Sequence, residues 1–149
     1  MPTHYPGTRE EVLALNTFIK FTRAYEALQT RLSHRGTTGD LTLSQFGVLE
    51  MLLHLGPQCQ RAISDKLLTS SANITTVIDN LEKRKLVKRV RDKYDRRKLS
   101  VDLTANGRKH IAKLFPEHVQ SILQEISVLT DSEQEQMARL CKKLGNGAA

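Results

Sequence analysis

A mainly α-helical fold carrying one small β-hairpin is the class this sequence predicts, and three features predict it. Apolar residues recur at helical spacing over most of the 149 residues. Capping-box pairs, a Thr followed three residues later by Glu or Gln, stand at Thr8/Glu11, Thr42/Gln45 and Thr130/Glu133 and mark three helix starts. Only one stretch alternates with period two: across residues 98–103, Leu99, Val101 and Leu103 face one way and Lys98, Ser100 and Asp102 the other, as in a half-buried strand.

Residues 1–7 hold two prolines and a glycine and are expected to be loose. After Thr8, the positions Val12, Leu15, Phe18, Ile19, Tyr25, Leu28 and Leu32 predict a long amphipathic helix over 8–33, followed by a loop to Asp40. The second box opens a helix in which Phe46, Val48, Leu49, Leu52, Leu53 and Leu55 are apolar nearly all round, so it is expected to be buried; Gly56-Pro57 ends it. Residues 60–67 and 71–85 read as two short helices joined by Leu68-Thr69-Ser70, the second with Ile74, Val77, Ile78 and Leu81 on one stripe and a polar opposite face. That is the pattern of a helix-turn-helix. Residues 87–91 and 98–103 form the hairpin around a polar turn at 92–97. Thr104 can cap a helix bearing Ile111, Leu114, Phe115, Val119, Ile122, Leu123 and Ile126, with Pro116 expected to bend it. The third box precedes a last helix with Met137, Leu140, Cys141 and Leu144.

Charge adds direction to this order. Residues 82–98 carry ten Lys and Arg against three acids, a local excess of +7 that equals the formal charge of the whole chain, so the remainder is neutral. A positive field concentrated at the end of a polar-faced helix and along a hairpin points to a polyanionic partner. The length suits one domain of ordinary size, and the apolar share of 39% suits a packed core without metal or disulfide support. The most apolar stretch, 43–55, is interrupted by Ser44, Gln45, Glu50 and His54; neither a signal peptide nor a membrane span is expected, and the expected location is the cytoplasm. Cys59 and Cys141 are far apart and outside any CxxC pair, which suggests free thiols.

Residues 67–104, LLTSSANITTVIDNLEKRKLVKRVRDKYDRRKLSVDLT, resemble the MarR family of bacterial winged helix-turn-helix regulators, and the likeness extends more weakly over the rest of the chain. NITTVIDNLEKRKLV is similar to that family's recognition helix, and Asp95-x-Arg97 with Leu103-Thr104 matches its wing signature. One departure is Leu68, where helix-turn-helix units often place glycine. The resemblance implies a winged helix-turn-helix over 41–104, flanked by dimerisation helices at 8–33 and 105–145. It also implies a homodimer on a palindromic operator with half-sites roughly 34 to 36 Å apart. The apolar stripes of the first and last helices are suited to such pairing.

Ser70, Ser71, Asn73, Thr75 and Thr76, at the N-terminal end of the recognition helix, are candidates for base edges or phosphates. Asn73 can pair bidentately with adenine, and threonine methyls can meet thymine methyls. In the wing, the resemblance implies that Arg97 enters the minor groove with Asp95 holding its guanidinium; Arg96, also at the tip, can exchange roles with it. Lys88, Arg89, Arg91, Lys93 and Lys98 read as phosphate contacts, which add affinity rather than specificity. Asp79 would repel phosphates and is expected to pair with a neighbouring base. Lys83, Arg84 and Lys85 also complement a helix C-terminus.

The five histidines are scattered and no metal site is expected; no cofactor fingerprint or nucleophile motif appears, so catalysis has no support. Cys59, near a helix start, is a candidate redox site. The family often takes aromatic effectors, for which Phe18, Tyr25, Phe46, Met51 and His54 are candidate pocket residues. The expected function is a sequence-specific double-stranded DNA-binding regulator, a repressor released by a small-molecule or oxidative signal. The alternative is a basic RNA-binding or ribosome-associated module. It is disfavoured because aromatics make up 5% of the chain and only Tyr94 falls in the basic block, leaving no stacking platform.

Overall fold

The structure, a computed structural model, describes residues 2–147. Among them run α1 (Arg9–Arg35), α2 (Leu43–Leu55), β1 (Gln58–Cys59), α3 (Gln60–Lys66), α4 (Ser71–Lys83), β2 (Val87–Arg91), β3 (Leu99–Leu103), α5 (Ala105–Ile126) and α6 (Asp131–Asn146). The predicted class stands, with one addition. The hairpin of β2 and β3, paired antiparallel from Val87↔Leu103 to Arg91↔Leu99, gains a third strand through Gln58↔Val101 and Cys59↔Ser100, giving the order β1-β3-β2. Two residues are too few to show an alternating pattern, so β1 left no signal in the sequence. All three capping boxes form: the Thr8, Thr42 and Thr130 hydroxyls each accept from the backbone N–H of Glu11, Gln45 and Glu133, and those side chains reach back to the cap. α5 continues through Pro116 as one helix.

By contacts the chain divides into two units, residues 37–119 and the remainder, with the division falling inside α5. The unit at 37–119 holds the core: Phe46, Val48, Leu49 and Leu52 of α2, Ile63 of α3, Ile74, Val77, Ile78 and Leu81 of α4, Leu86, Val87, Val101 and Leu103 around the sheet, and Ile111 of α5 are buried together. Full burial of each such side chain contributes roughly 1.5 to 3 kcal/mol. The turn between α3 and α4 places Leu68 in the left-handed region, at φ 52°, with its side chain 91% exposed. A leucine here adopts the conformation that glycine favours.

The junction between wing and α5 is tight. The Thr104 hydroxyl donates to the Lys85 carbonyl at 2.7 Å and accepts from the Gly107 N–H at 2.9 Å, while the Thr104 N–H donates to the Leu86 carbonyl at 3.1 Å. That carbonyl lies 1.9 Å from where a Cβ on Gly107 would stand, so only glycine fits this turn of α5. At the edge of the same core the His118 ring packs 4.5 Å from Phe46, and its Nδ1 sits 3.1 Å from the Thr37 hydroxyl. Burial pushes the His118 imidazole below its ordinary value, against a weaker opposing pull from the Glu50 carboxylate.

The second unit contains α1, the end of α5 and α6. Glu125 accepts from Arg31 at 2.5 Å and Arg35 at 2.7 Å, and these two guanidinium bonds hold its carboxyl below the usual range. Neither α1 nor α6 has a fully buried residue. Leu13, Phe18, Tyr25, Leu123, Val128 and Leu144 are all more than half exposed.

Gly107→Ala is expected to destabilise the protein by about 2 kcal/mol or more, because backbone must move to admit one methyl; an unchanged melting temperature would contradict the close approach to Leu86. Because His118 binds its proton less tightly in the folded state, its contribution to stability is complete above the ordinary value of 6.5 and is lost as pH falls through the lower folded value. NMR titration is expected to give a midpoint below 6.5, and a midpoint at or above it would refute the burial argument.

Candidate nucleic-acid interface

The setting of α4 is fixed by its own apolar stripe. With Ile74, Val77, Ile78 and Leu81 buried, Ser71, Ala72, Asn73, Thr76 and Asn80 are left exposed and Thr75 half-buried. Ser70 caps α4, its hydroxyl oxygen accepting from the Asn73 N–H at 3.1 Å, which leaves the hydroxyl proton free to donate. The Asn73 amide donates to the Thr69 hydroxyl at 2.6 Å. One N–H and the carbonyl oxygen remain, the donor and acceptor that adenine requires. Thr75 donates to the Ser71 carbonyl at 2.8 Å and accepts from Gln60 of α3 at 2.5 Å, so its hydroxyl is largely occupied and its methyl is what it offers a base. Thr76 donates to the Ala72 carbonyl at 3.3 Å. Nothing in the sequence pointed to Gln60.

The wing turn is ordered by two aspartates. The Asp92 carboxylate accepts from the N–H groups of Tyr94 at 2.7 Å and Asp95 at 3.0 Å. Those two bonds, with a smaller contribution from the Lys98 charge, lower its pKa below the usual carboxylate value. Asp92 N–H to Lys98 carbonyl at 2.8 Å and Lys98 N–H to Asp95 carbonyl at 3.0 Å close the loop. Asp95 Oδ1 then accepts from both the backbone N–H and the Nε of Arg97, at 3.0 and 3.2 Å, while the Arg97 side chain remains 92% exposed. Arg97 is thus the tip cation that Asp95 orients. Arg96 offers only its carbonyl, to Arg91 Nη1 at 3.1 Å.

The remaining basic residues sort by their partners. Arg84 pairs with Asp40. Arg89 pairs with Asp79 at 2.6 Å and Glu82 at 2.9 Å, which supplies the base that Asp79 was expected to meet. Lys88, Lys93, Arg96 and Lys98 form no ion pair among the described residues, and all four are exposed. Together with Arg97 they leave the hairpin surface strongly positive.

Other sequence candidates are spread more widely. Phe46, Met51 and His54 share α2: Phe46 is buried, 6.4 Å from the Phe115 ring, Met51 packs half-buried on the core, and the exposed His54 ring stands 4.7 Å from Phe115. Phe18 and Tyr25 are exposed on α1, in the other unit. Cys59 is exposed and caps α3, its sulfur accepting from the Ala62 N–H at 3.4 Å, while Cys141 is half-buried. No cluster of three or more metal-ligating side chains occurs among the described residues, and no described helix is long and apolar enough to cross a membrane.

Residues 41–99 match the MarR family. Over 135 residues the chain is 34% identical to the HTH-type transcriptional regulator MhqR of Bacillus subtilis (strain 168), covering 91% of this chain and 93% of that protein. It is 32% identical over 82 residues to the transcriptional repressor MprA of Escherichia coli (strain K12), 55% of this chain and 47% of that one. Among solved structures, BpsR of Bordetella bronchiseptica, whose DNA binding is regulated by 6-hydroxynicotinic acid, aligns with a TM-score of 0.78 at 25% identity over 99% of this chain and 100% of its own.

Arg97→Ala is expected to weaken binding to duplex DNA by about 1 to 3 kcal/mol without disturbing the fold, the range for a lost specific contact. Gel-shift titration of a folded variant that still binds with full affinity would reject the tip assignment.

Proposed function

This chain belongs to the MarR family, as a helix-turn-helix transcriptional regulator that binds DNA, and from that premise we propose that it is a homodimeric, sequence-specific repressor released by a small aromatic molecule. The observation that carries the specific reading is the wing tip, where Asp95 orients an almost fully exposed Arg97. A planar cation held on a hairpin tip suits the narrow, strongly negative minor groove of A·T-rich duplex. Beside it, Ser70, Ser71, Asn73, Thr75 and Thr76 offer α4 to the major groove, and Lys88, Arg91, Lys93, Arg96 and Lys98 lie along the phosphates.

Dimerisation is supported by the apolar surface of α1, the end of α5 and α6, where Leu13, Phe18, Tyr25, Leu123 and Leu144 stay more than half exposed. A second copy can cover such a surface by the same residues, as a two-fold interface requires. Two recognition helices then meet half-sites about one helical turn apart. Repression is supported by the likeness to MprA, and control of DNA binding by an aromatic acid by the likeness to BpsR. Phe46, Met51 and His54, which share α2, are aromatic and soft side chains that such a ligand could meet.

Footprinting on the DNA flanking its own gene is expected to give two protected half-sites in inverted repeat; uniform protection without sequence preference would defeat the reading. Affinity is also expected to fall steeply with salt. If Lys88, Arg91, Lys93, Arg96 and Lys98 of both protomers each neutralise a phosphate, log K against log salt has a slope near about −9. A slope shallower than about −2 would remove the phosphate assignments.

A further inference from the structure

Arg89 differs from the basic residues around it. On β2 the side chains alternate, Val87 buried, Lys88 exposed, Arg89 half-buried, so Arg89 shares the face that carries Val87 into the core and turns toward α4. There its fork meets two carboxylates spaced three residues apart on one helix face. Nη2 donates to Asp79 Oδ1 at 2.6 Å and Nη1 to Glu82 Oε1 at 2.9 Å. The other oxygen of Glu82 accepts the backbone N–H of Arg89 at 3.3 Å, so Glu82 holds the edge strand by its main chain as well as by its side chain.

We propose that Arg89, Asp79 and Glu82 form a latch that sets the angle of the wing against the recognition helix, making Arg89 a positioning residue for DNA binding rather than a phosphate contact. Three points of attachment to one helix face restrict rotation of the strand as well as its separation. The tip lies about 15 Å farther along the hairpin at 3.3 Å per residue. A swing of about 5° at the latch therefore moves the Arg97 guanidinium by more than about 1 Å, beyond the tolerance of a preorganised contact. The two carboxylates are otherwise hard to place on such a surface. Asp79 and Glu82 put negative charge on the helix that meets a polyanion, which opposes binding unless they have another task.

The latch rests on the DNA-binding reading above, and its test separates the two. Anisotropy titrations over a salt series would compare wild type, Arg89→Ala, the double variant Asp79→Asn/Glu82→Gln and Lys88→Ala on the duplex that wild type protects. With a latch, Arg89→Ala weakens binding about 3- to 10-fold, the scale of losing one ordered side chain at an interface, while the salt slope stays at the wild-type value. Lys88→Ala, which removes one cation from each protomer of the dimer, lowers that slope by about two. Asp79→Asn/Glu82→Gln also weakens binding, although it removes two negative charges. A slope reduced by about two in Arg89→Ala, one phosphate per protomer, would make Arg89 a phosphate contact and overturn the latch. Tighter binding by the double variant would overturn it too, even if Arg89→Ala failed to fold, as would wild-type affinity in both variants. If wild type bound no duplex, the DNA reading would fall and the latch with it.

Discussion

The burial of Ile74, Val77, Ile78 and Leu81 against α2 governs the rest of the unit at 37–119. A helix with one apolar stripe can pack in only one rotational setting, and that setting turns Ser71, Asn73 and Thr76 outward while presenting Asp79 and Glu82 to the neighbouring strand. The same core anchors the hairpin through Val87, Val101 and Leu103. α4 and the hairpin are therefore two outgrowths of one packed centre.

Electrostatics then divides labour within a single run of charge. Cations turned toward protein find partners there: Arg84 meets Asp40, and Arg89 meets Asp79 and Glu82. Cations turned outward, Lys88, Lys93, Arg96 and Lys98, have only solvent and are free to exchange it for phosphate. Arg97 is intermediate, oriented by Asp95 yet almost wholly exposed. Such an exposed pair adds little to stability. Its effect is to reduce the number of orientations open to the guanidinium, which would lower the ordering cost of the DNA contact proposed for it.

Much of this was legible before the fold was known. The capping boxes, the helical stripes and the period-two alternation of 98–103 are local signals, and local signals survive into the structure because each is satisfied within a few residues. β1 was not legible, since a two-residue strand has no pattern and exists only because Val101 and Ser100 offer it a ladder. Nor was the need for glycine at position 107, which comes from the Leu86 carbonyl arriving from another element. Gln60, which bonds Thr75 across the turn, escaped notice for the same reason.

The sequence alone determined the order of the helices and of the β2–β3 hairpin, the face that α4 buries, and the concentration of positive charge on one helix end and one hairpin. These depend on spacing along the chain, which sequence states directly. Only the tertiary structure decided which of those charges are available. Whether a cation is spent on a carboxylate or left for a phosphate depends on which carboxylate the fold brings within about 3 Å. Asp79 and Asp95 are equally acidic in the sequence; folding gives one a strand arginine to hold in place and the other a tip arginine to aim.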